Sequence, residues 1–194
     1  MANFVAAVPK LHTPTPAETL SFSVASDRLP AMAAAGITHV SLANNHSFDK
    51  GAYDFMHTQM TLQQHGVEPF GAAHNATNAV TYLTVGKHRV AVLGLNLTDH
   101  TFAPDEYLEL LTTVTKQSDL QVVYVHWGEE YVATHNENQR TLAHWLVDSG
   151  IDLVLGHHPH VVQDIEIYAD VPIIYSLGNF IFDQYFDEAV QTGL

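Results

Sequence analysis

The alternation of apolar and polar positions divides the chain into short helices and strands. An Ala-rich segment at 27–36 predicts a helix with Ser26 or Asp27 as N-cap and Gly36 at its C-terminus. Apolar spacing and end signals predict further helices at 52–66, 104–117 and 136–150.

Strands are predicted where apolar residues alternate or run continuously. These segments are 37–43, 79–85, 89–96, 120–126, 151–156, 161–168 and 171–183, with one short strand expected near 20–24 in an otherwise irregular N-terminal loop. Gly86, Lys87 and His88 form the turn of a predicted hairpin. Because strands and helices alternate, with a few hairpins, the pattern indicates an α/β layered fold.

Polar side chains follow three of these strands at the point where each strand ends. The three sets are Asn44-Asn45-His46, His126-Trp127-Gly128-Glu129 and Gly156-His157-His158-Pro159-His160. The carboxyl ends of strands in an α/β sheet form the binding crevice, so we expect the three sets to surround one point. Amide oxygens and imidazoles without thiolate suit zinc, manganese or iron.

Composition favours a metal site and disfavours nucleic acid. The 194 residues include 14 histidines and no cysteine, which leaves neither a zinc-thiolate site nor a thiol nucleophile. The formal net charge of -14 would repel a phosphate backbone, so no nucleic-acid partner is expected. An anionic substrate would need local positive charge, which a metal ion can supply.

Structural interpretations compete with the metal site. Asn44 and Asn45 are also common turn residues, and a single histidine after a strand is usually a surface or hydrogen-bonded residue. Carboxylate pairs among Glu129, Glu130 and Asp183 leave glycoside chemistry open. Nine histidines show no companion pattern and are given structural roles: His12, His39, His57, His65, His74, His88, His100, His135 and His144.

Four long segments resemble one known family. "VSLANNHSFDKG", "VVYVHWGEEY", "LAHWLVDSGIDLVLGHHPHVVQ" and "PIIYSLGNFIFDQ" are similar, in this order, to motifs of the CapA family, which is linked to poly-γ-glutamate capsule synthesis. That family resembles the calcineurin-like metallophosphoesterases. The resemblance implies a four-layer α-β-β-α sandwich, expected here to lack its first strand or strands, and one or two divalent ions of manganese, zinc or iron.

The resemblance also implies roles for individual residues. Asn45 and His126 would be metal ligands, and His46 would be the acid that protonates the leaving oxygen. The last two ligands would be either His158 and His160 or His157 and His160. Four residues would contact the substrate or support the ligands from behind: Asn44, Asp49, Glu129 and Asn179.

This sequence departs from the family at its first strand. The wider superfamily takes a bridging carboxylate from an Asp-x-His strand and a Gly-Asp strand, and nothing here corresponds to the first. In "ANFVAAVP" Asn3 stands in register with the family's Asn-Leu-Glu segment, but Val5 occupies the acid position. We therefore expect weak metal binding, and a single domain over 1–194 that is a fragment truncated at both ends.

Two functional hypotheses follow. The first is a metal-dependent hydrolase, an enzyme of phosphoesterase type, that acts on a phosphoester or related bond of an anionic polymer. The second is a non-catalytic component of capsule assembly that binds polyanion or a partner protein through a degenerate metal site. The resemblance also implies membrane-associated polymer-synthesis subunits as partners, and it makes a cell-envelope or extracellular location an expectation while leaving the compartment open.

Overall fold

The computed structural model describes residues 1–14, 16, 19–71, 79–98 and 104–194. His74 and His100, to which we gave structural roles, lie outside these residues. The helices are α1 (Leu29–Ala34), α2 (Gly51–Gln64), α3 (Pro104–Gln117) and α4 (Glu137–Asp148), with short 3-10 turns at Ser26–Arg28 and Ala189–Gln191. None of the described helices is long and apolar enough to cross a membrane.

The strands form two sheets. The first sheet is parallel, with β1 (Ala2–Asn3), β2 (His39–Ser41) and β3 (Glu68–Phe70) in spatial order. The second sheet has the order β4-β5-β6-β7-β9-β8, built from β4 (Val80–Val85), β5 (His88–Asn96), β6 (Leu120–His126), β7 (Leu153–His157), β8 (Ile165–Tyr168) and β9 (Val171–Ile174). The β4–β5 and β8–β9 pairs are antiparallel, whereas β5, β6, β7 and β9 are parallel.

Three apolar clusters stack these elements into four layers. Leu29 of α1 and Leu62 of α2 pack on Val40 of the first sheet. On the far side of the second sheet, Leu111 of α3 and Leu146 of α4 belong to one cluster with the side chains of β5, β6 and β7 that face these helices. Between the sheets lies a third cluster, made by Phe70, Val90, Val92 and Tyr124. The order is therefore helix, sheet, sheet, helix, as expected.

Two glycines bring the sheets close together at one point. A Cβ at Gly94 would lie 3.0 Å from Gly71 Cα and 3.2 Å from Ser41 Oγ, so any side chain would push the sheets apart. Gly71 itself has a φ of +74°, which disfavours every other residue type. This close approach holds the carboxyl ends of β2 and β6 at the same edge of the sandwich.

Several predicted boundaries near the two ends of the chain are wrong. No strand forms at 20–24 beyond a single bridge between Ala7 and Ser23, because the backbone N–H of Phe22 donates to the Asp49 carboxylate (2.6 Å) rather than to a ladder partner. The first helix begins at Leu29, two residues after the predicted start, behind a 3-10 turn without a side-chain cap. The last strand ends at Ile174 rather than continuing to 183.

Candidate metal centre at the strand ends

Two candidate histidines end neighbouring parallel strands. His126 closes β6 and pairs in register with His157, which closes β7. Both rings are buried, at 1% and 7% exposure, on the face of the sheet that also carries Tyr124. Position 156, directly before His157, requires glycine because any Cβ there would collide with the Tyr175 carbonyl oxygen. The same oxygen accepts a hydrogen bond from Trp127 Nε1 at 2.9 Å. This packing fixes the direction in which both histidines leave the sheet.

The chain after β7 adopts an unusual backbone. His158 has a φ of +98° and His160 a φ of +59°, a region that is costly for residues other than glycine. Such strain persists only where surrounding contacts enforce it, and it concentrates at functional sites. Here the left-handed turns swing the His158 ring to 4.7 Å from the His126 ring, measured between centroids.

One group of side chains already has the spacing of a metal site. A ligand atom each from Glu130, His158 and His160 lies within 4.8 Å of the other two, the only group of this kind among the described residues. His160 Nδ1 lies 2.8 Å from Asn179 Oδ1. Asn179 is oriented by its Nδ2, which donates to the Val190 carbonyl (2.9 Å), so its Oδ1 must accept from Nδ1–H of His160. The lone pair on Nε2 of His160 is then available to an ion.

His126 lies at the centre of the strand-end residues. Its Nε2 is 2.9 Å from Asn45 Oδ1, and its Nδ1 is 2.9 Å from Asn3 Nδ2. Burial lowers the pKa of His126 well below its ordinary value, and positive charge on His158, His157, His160 or His46 would lower it further. All five histidines of the predicted site are thus close enough to interact electrostatically.

His46 and Asp49 form a pair beside this centre. Nδ1–H of His46 donates to Asp49 Oδ2 at 2.8 Å, and the same carboxylate oxygen accepts from the Phe22 backbone N–H. Because the carboxylate holds the proton on Nδ1, Nε2 of His46 faces away from Asp49. Asn44 supports the loop by accepting from the His46 N–H at 3.1 Å.

His157 is a buried imidazole with an unpaired nitrogen. Its Nε2 has no hydrogen-bond partner within the described part of the chain, and its ring lies 3.9 Å from that of Tyr124. Burial lowers its pKa to about 3, so the ring stays neutral under ordinary conditions. An orphaned buried nitrogen of this kind calls for a partner such as an ion or water.

Aromatic rings line the outer side of the site. Phe22 packs on His46 at 4.3 Å between centroids and meets Phe182 edge-on at 5.7 Å. Phe182 in turn lies 4.9 Å from His160, on which Tyr131 stacks at 5.9 Å. The rings limit the water that reaches both histidines.

Most predicted site residues meet, and two others join them. One contact network contains nine of the predicted residues: Asn44, Asn45, His46, Asp49, His126, His157, His158, His160 and Asn179. Glu129 instead accepts from Asn136, the N-cap of α4, at 3.4 Å. The neighbouring Glu130 joins the histidines, and sequence spacing could not separate these two acids. For Asn3 the only indication in the sequence was its alignment with the asparagine of the family's Asn-Leu-Glu segment.

The donor atoms suit a divalent ion. Carboxylate, amide oxygen and imidazole form a set that binds zinc, manganese or iron. Asn45 Oδ1 and His126 Nε2 lie 2.9 Å apart, a hydrogen-bond distance, so an ion held by both atoms would replace that hydrogen bond. The orphaned Nε2 of His157 is further evidence of fit. The choice between His157 and His158 as ligand stays a prediction, although only His158 lies with Glu130 and His160.

Comparison with known proteins decides the family. Residues 1–184 match the family model described as bacterial capsule synthesis protein PGA_cap. The chain belongs to this family. It is 35% identical over 188 residues to the capsule biosynthesis protein CapA of Bacillus anthracis, a match over 86% of this chain and 45% of that protein. It is 34% identical over 163 residues to the PGA biosynthesis protein CapA of Bacillus subtilis (strain 168), a match over 76% of this chain and 43% of that protein.

The chain therefore spans less than half the length of these CapA relatives. Among solved structures, it resembles a candidate 5′-nucleotidase from Staphylococcus aureus with a TM-score of 0.55 and 19% identity, over 79% of this chain and 34% of that one. A hypothetical protein from Thermus thermophilus gives a TM-score of 0.54 and 21% identity, over 76% and 56% of the two chains. These likenesses and the two packed sheets confirm the expected layered α/β fold.

Proposed function

We propose that this chain binds a divalent metal ion at its strand ends and hydrolyses a phosphoester or related bond during capsule polymer synthesis. The observation that carries the proposal is the group formed by Glu130, His158 and His160, which lies beside the buried His126. Carboxylate and imidazole atoms at this spacing are a known means of holding such an ion.

The ion would be held by Glu130, His158 and His160, with Asn45 and His126 as a second ligand pair. A bound divalent ion supplies a Lewis acid and lowers the pKa of a bound water. Asn179 orients His160 by accepting from its Nδ1–H, which keeps Nε2 directed away from Asn179. The buried setting of His126 keeps its imidazole neutral, as ligation requires.

His46 would act as the general acid. In the ring that carries a proton on each nitrogen, Nδ1–H donates to Asp49 Oδ2 at 2.8 Å, and this bond orients Nε2–H away from the carboxylate. Nε2–H can then be given to the departing oxygen of the substrate. Phe22 packs against the His46 ring and limits its rotation.

The substrate class follows from charge and from the relatives. Two relatives are named for capsule or PGA biosynthesis, which makes an anionic polymer or its phosphoester precursor the proposed substrate. The chain has only 7 lysines and arginines against 21 acids, so an ion would be the main source of positive charge for binding an anion. Membrane-associated synthesis subunits remain the proposed partners.

Hydrolysis of an aryl phosphate with added Mn²⁺ or Zn²⁺ tests this function. We expect turnover that is lost in His126→Ala and in His160→Ala, because each variant removes a proposed ligand. His88→Ala is the matched control, since His88 lies exposed at the start of β5, far along the strand from the site. Polymer binding that persists in the two site variants, without turnover in the parent chain, would contradict the proposal.

A further inference from the structure

We propose that Asn3 is a positioning residue that holds His126 in the tautomer with its proton on Nε2. This arrangement, called the latch, keeps the Asn45–His126 pair from binding an ion. The chain would then load the Glu130–His158–His160 group first and the Asn45–His126 pair only after the latch opens. The consequence for ions rests on the proposed function, whereas the tautomer itself does not.

The first step is the orientation of the Asn44 amide. Asn44 Nδ2 donates to the Phe4 carbonyl at 3.0 Å, while its Oδ1 accepts from the His46 N–H at 3.1 Å. Turning this amide over would place a donor against the His46 N–H and an acceptor against the Phe4 carbonyl. The orientation of Asn44 is therefore fixed.

The second step carries this orientation to Asn3. Asn44 Nδ2 donates to Asn3 Oδ1 at 3.1 Å, so the Asn3 amide must direct its Nδ2 to the other side. That side is His126 Nδ1, at 2.9 Å. An amide nitrogen only donates, so Nδ1 of His126 must be the acceptor. A neutral imidazole carries one proton, which therefore lies on Nε2 and is donated to Asn45 Oδ1 at 2.9 Å.

His160 shows the opposite arrangement in the same site. Its Nδ1 faces the acceptor Oδ1 of Asn179, which leaves Nε2 with a free lone pair. Metal-bound histidines commonly donate their second ring N–H to an oxygen, as His160 does. His126 meets a donor instead of an acceptor at that position, so its Nε2 is protonated where a ligand would need a lone pair.

Opening the latch has a structural cost. The proton of His126 must move to Nδ1, and the Asn3 amide must turn over to accept it. The turned amide would direct Nδ2 at Asn44 Nδ2, which places two donors face to face. Asn3→Asp removes this conflict, because a carboxylate accepts from both Asn44 Nδ2 and His126 Nδ1–H. Correcting the partner of a ligating histidine should raise affinity for an ion by about tenfold to a hundredfold.

The test is the imidazole ¹⁵N spectrum of the metal-free chain. We expect His126 to show the Nε2–H tautomer in the parent chain and the Nδ1–H tautomer in Asn3→Asp. Asn179→Asp is the matched control, because it adds the same charge to the site yet leaves the partners of His126 unchanged. A parent spectrum with the proton on Nδ1 of His126 would overturn the latch, whether or not the variants fold.

Zn²⁺ titration by calorimetry then tests the consequence. Asn3→Asp should bind Zn²⁺ about tenfold more tightly, or bind one more ion, than the parent chain. Equal affinity and stoichiometry in the two chains, with the tautomers as expected, would refute the latch as a barrier to ions. Absence of any Zn²⁺ binding in both chains would instead refute the proposed metal centre, while the tautomer result would stand.

Discussion

Acidification should destabilise the metal-free chain through His157. Burial lowers its pKa to about 3, whereas an unfolded histidine titrates near 6.5. Below pH 6.5 the unfolded chain takes up a proton that the folded chain excludes, so stability is present at neutral pH and falls as the pH drops towards 3. One such group changes the free energy of unfolding by up to about 1.4 kcal/mol per pH unit. Between pH 7 and pH 5 the loss is about 2 kcal/mol.

Urea unfolding with a chelator present, followed by tryptophan fluorescence, to which the buried Trp127 contributes, measures this loss. His157→Phe is the comparison, because it keeps a ring against Tyr124 but cannot take up a proton. Between the two pH values the free energy of unfolding should fall by about 2 kcal/mol less in the variant than in the parent chain. His126 also has a lowered pKa, but its contribution is the same in both chains and cancels in the comparison. An equal loss in the two chains would refute the account of His157 as a buried neutral group.

Two further predictions concern the residues that hold the site histidines. Asp49→Ala should lower kcat on an aryl phosphate by at least about tenfold, since general acid catalysis contributes on the order of a hundredfold or more. Asp49→Asn keeps an acceptor for His46 and should fall in between, and an unchanged kcat in both variants would contradict the role of Asp49. Asn179→Leu should weaken Zn²⁺ binding about tenfold to a hundredfold, because His160 loses its acceptor. Asn179→Asp keeps that acceptor, and equal weakening in both would argue against it.

The sequence predicts most of the second sheet because its strands are continuous apolar runs. β6 and α3 have the bounds expected from their patterns, and β4 and β5 form the expected hairpin. A buried parallel strand needs bulky side chains on both faces, which leaves a strong local signal. The ends of β6 and β7 meet because these strands are parallel neighbours, whereas the end of β2 belongs to the other sheet and reaches them only through the packing of the two sheets.

The remaining features depend on contacts between distant residues. β1 is only two residues long and gains its place by pairing with β2. Glu129 and Glu130 are adjacent and chemically alike, and only the loop geometry directs one to α4 and the other to the histidines. The Asn3–His126 contact joins residues 123 positions apart. No local pattern encodes the direction of an amide at such a distance.

Metal content measured after dialysis against Zn²⁺ tests the central claim most directly. The parent chain should retain at least one ion per chain by elemental analysis, and the double variant His158→Ala/His160→Ala should retain none. His39→Ala serves as control, because His39 pairs with Thr38 at the start of β2, away from the strand ends. A parent chain without Zn²⁺, or a double variant that retains as much as the parent, would contradict a metal centre at these strand ends.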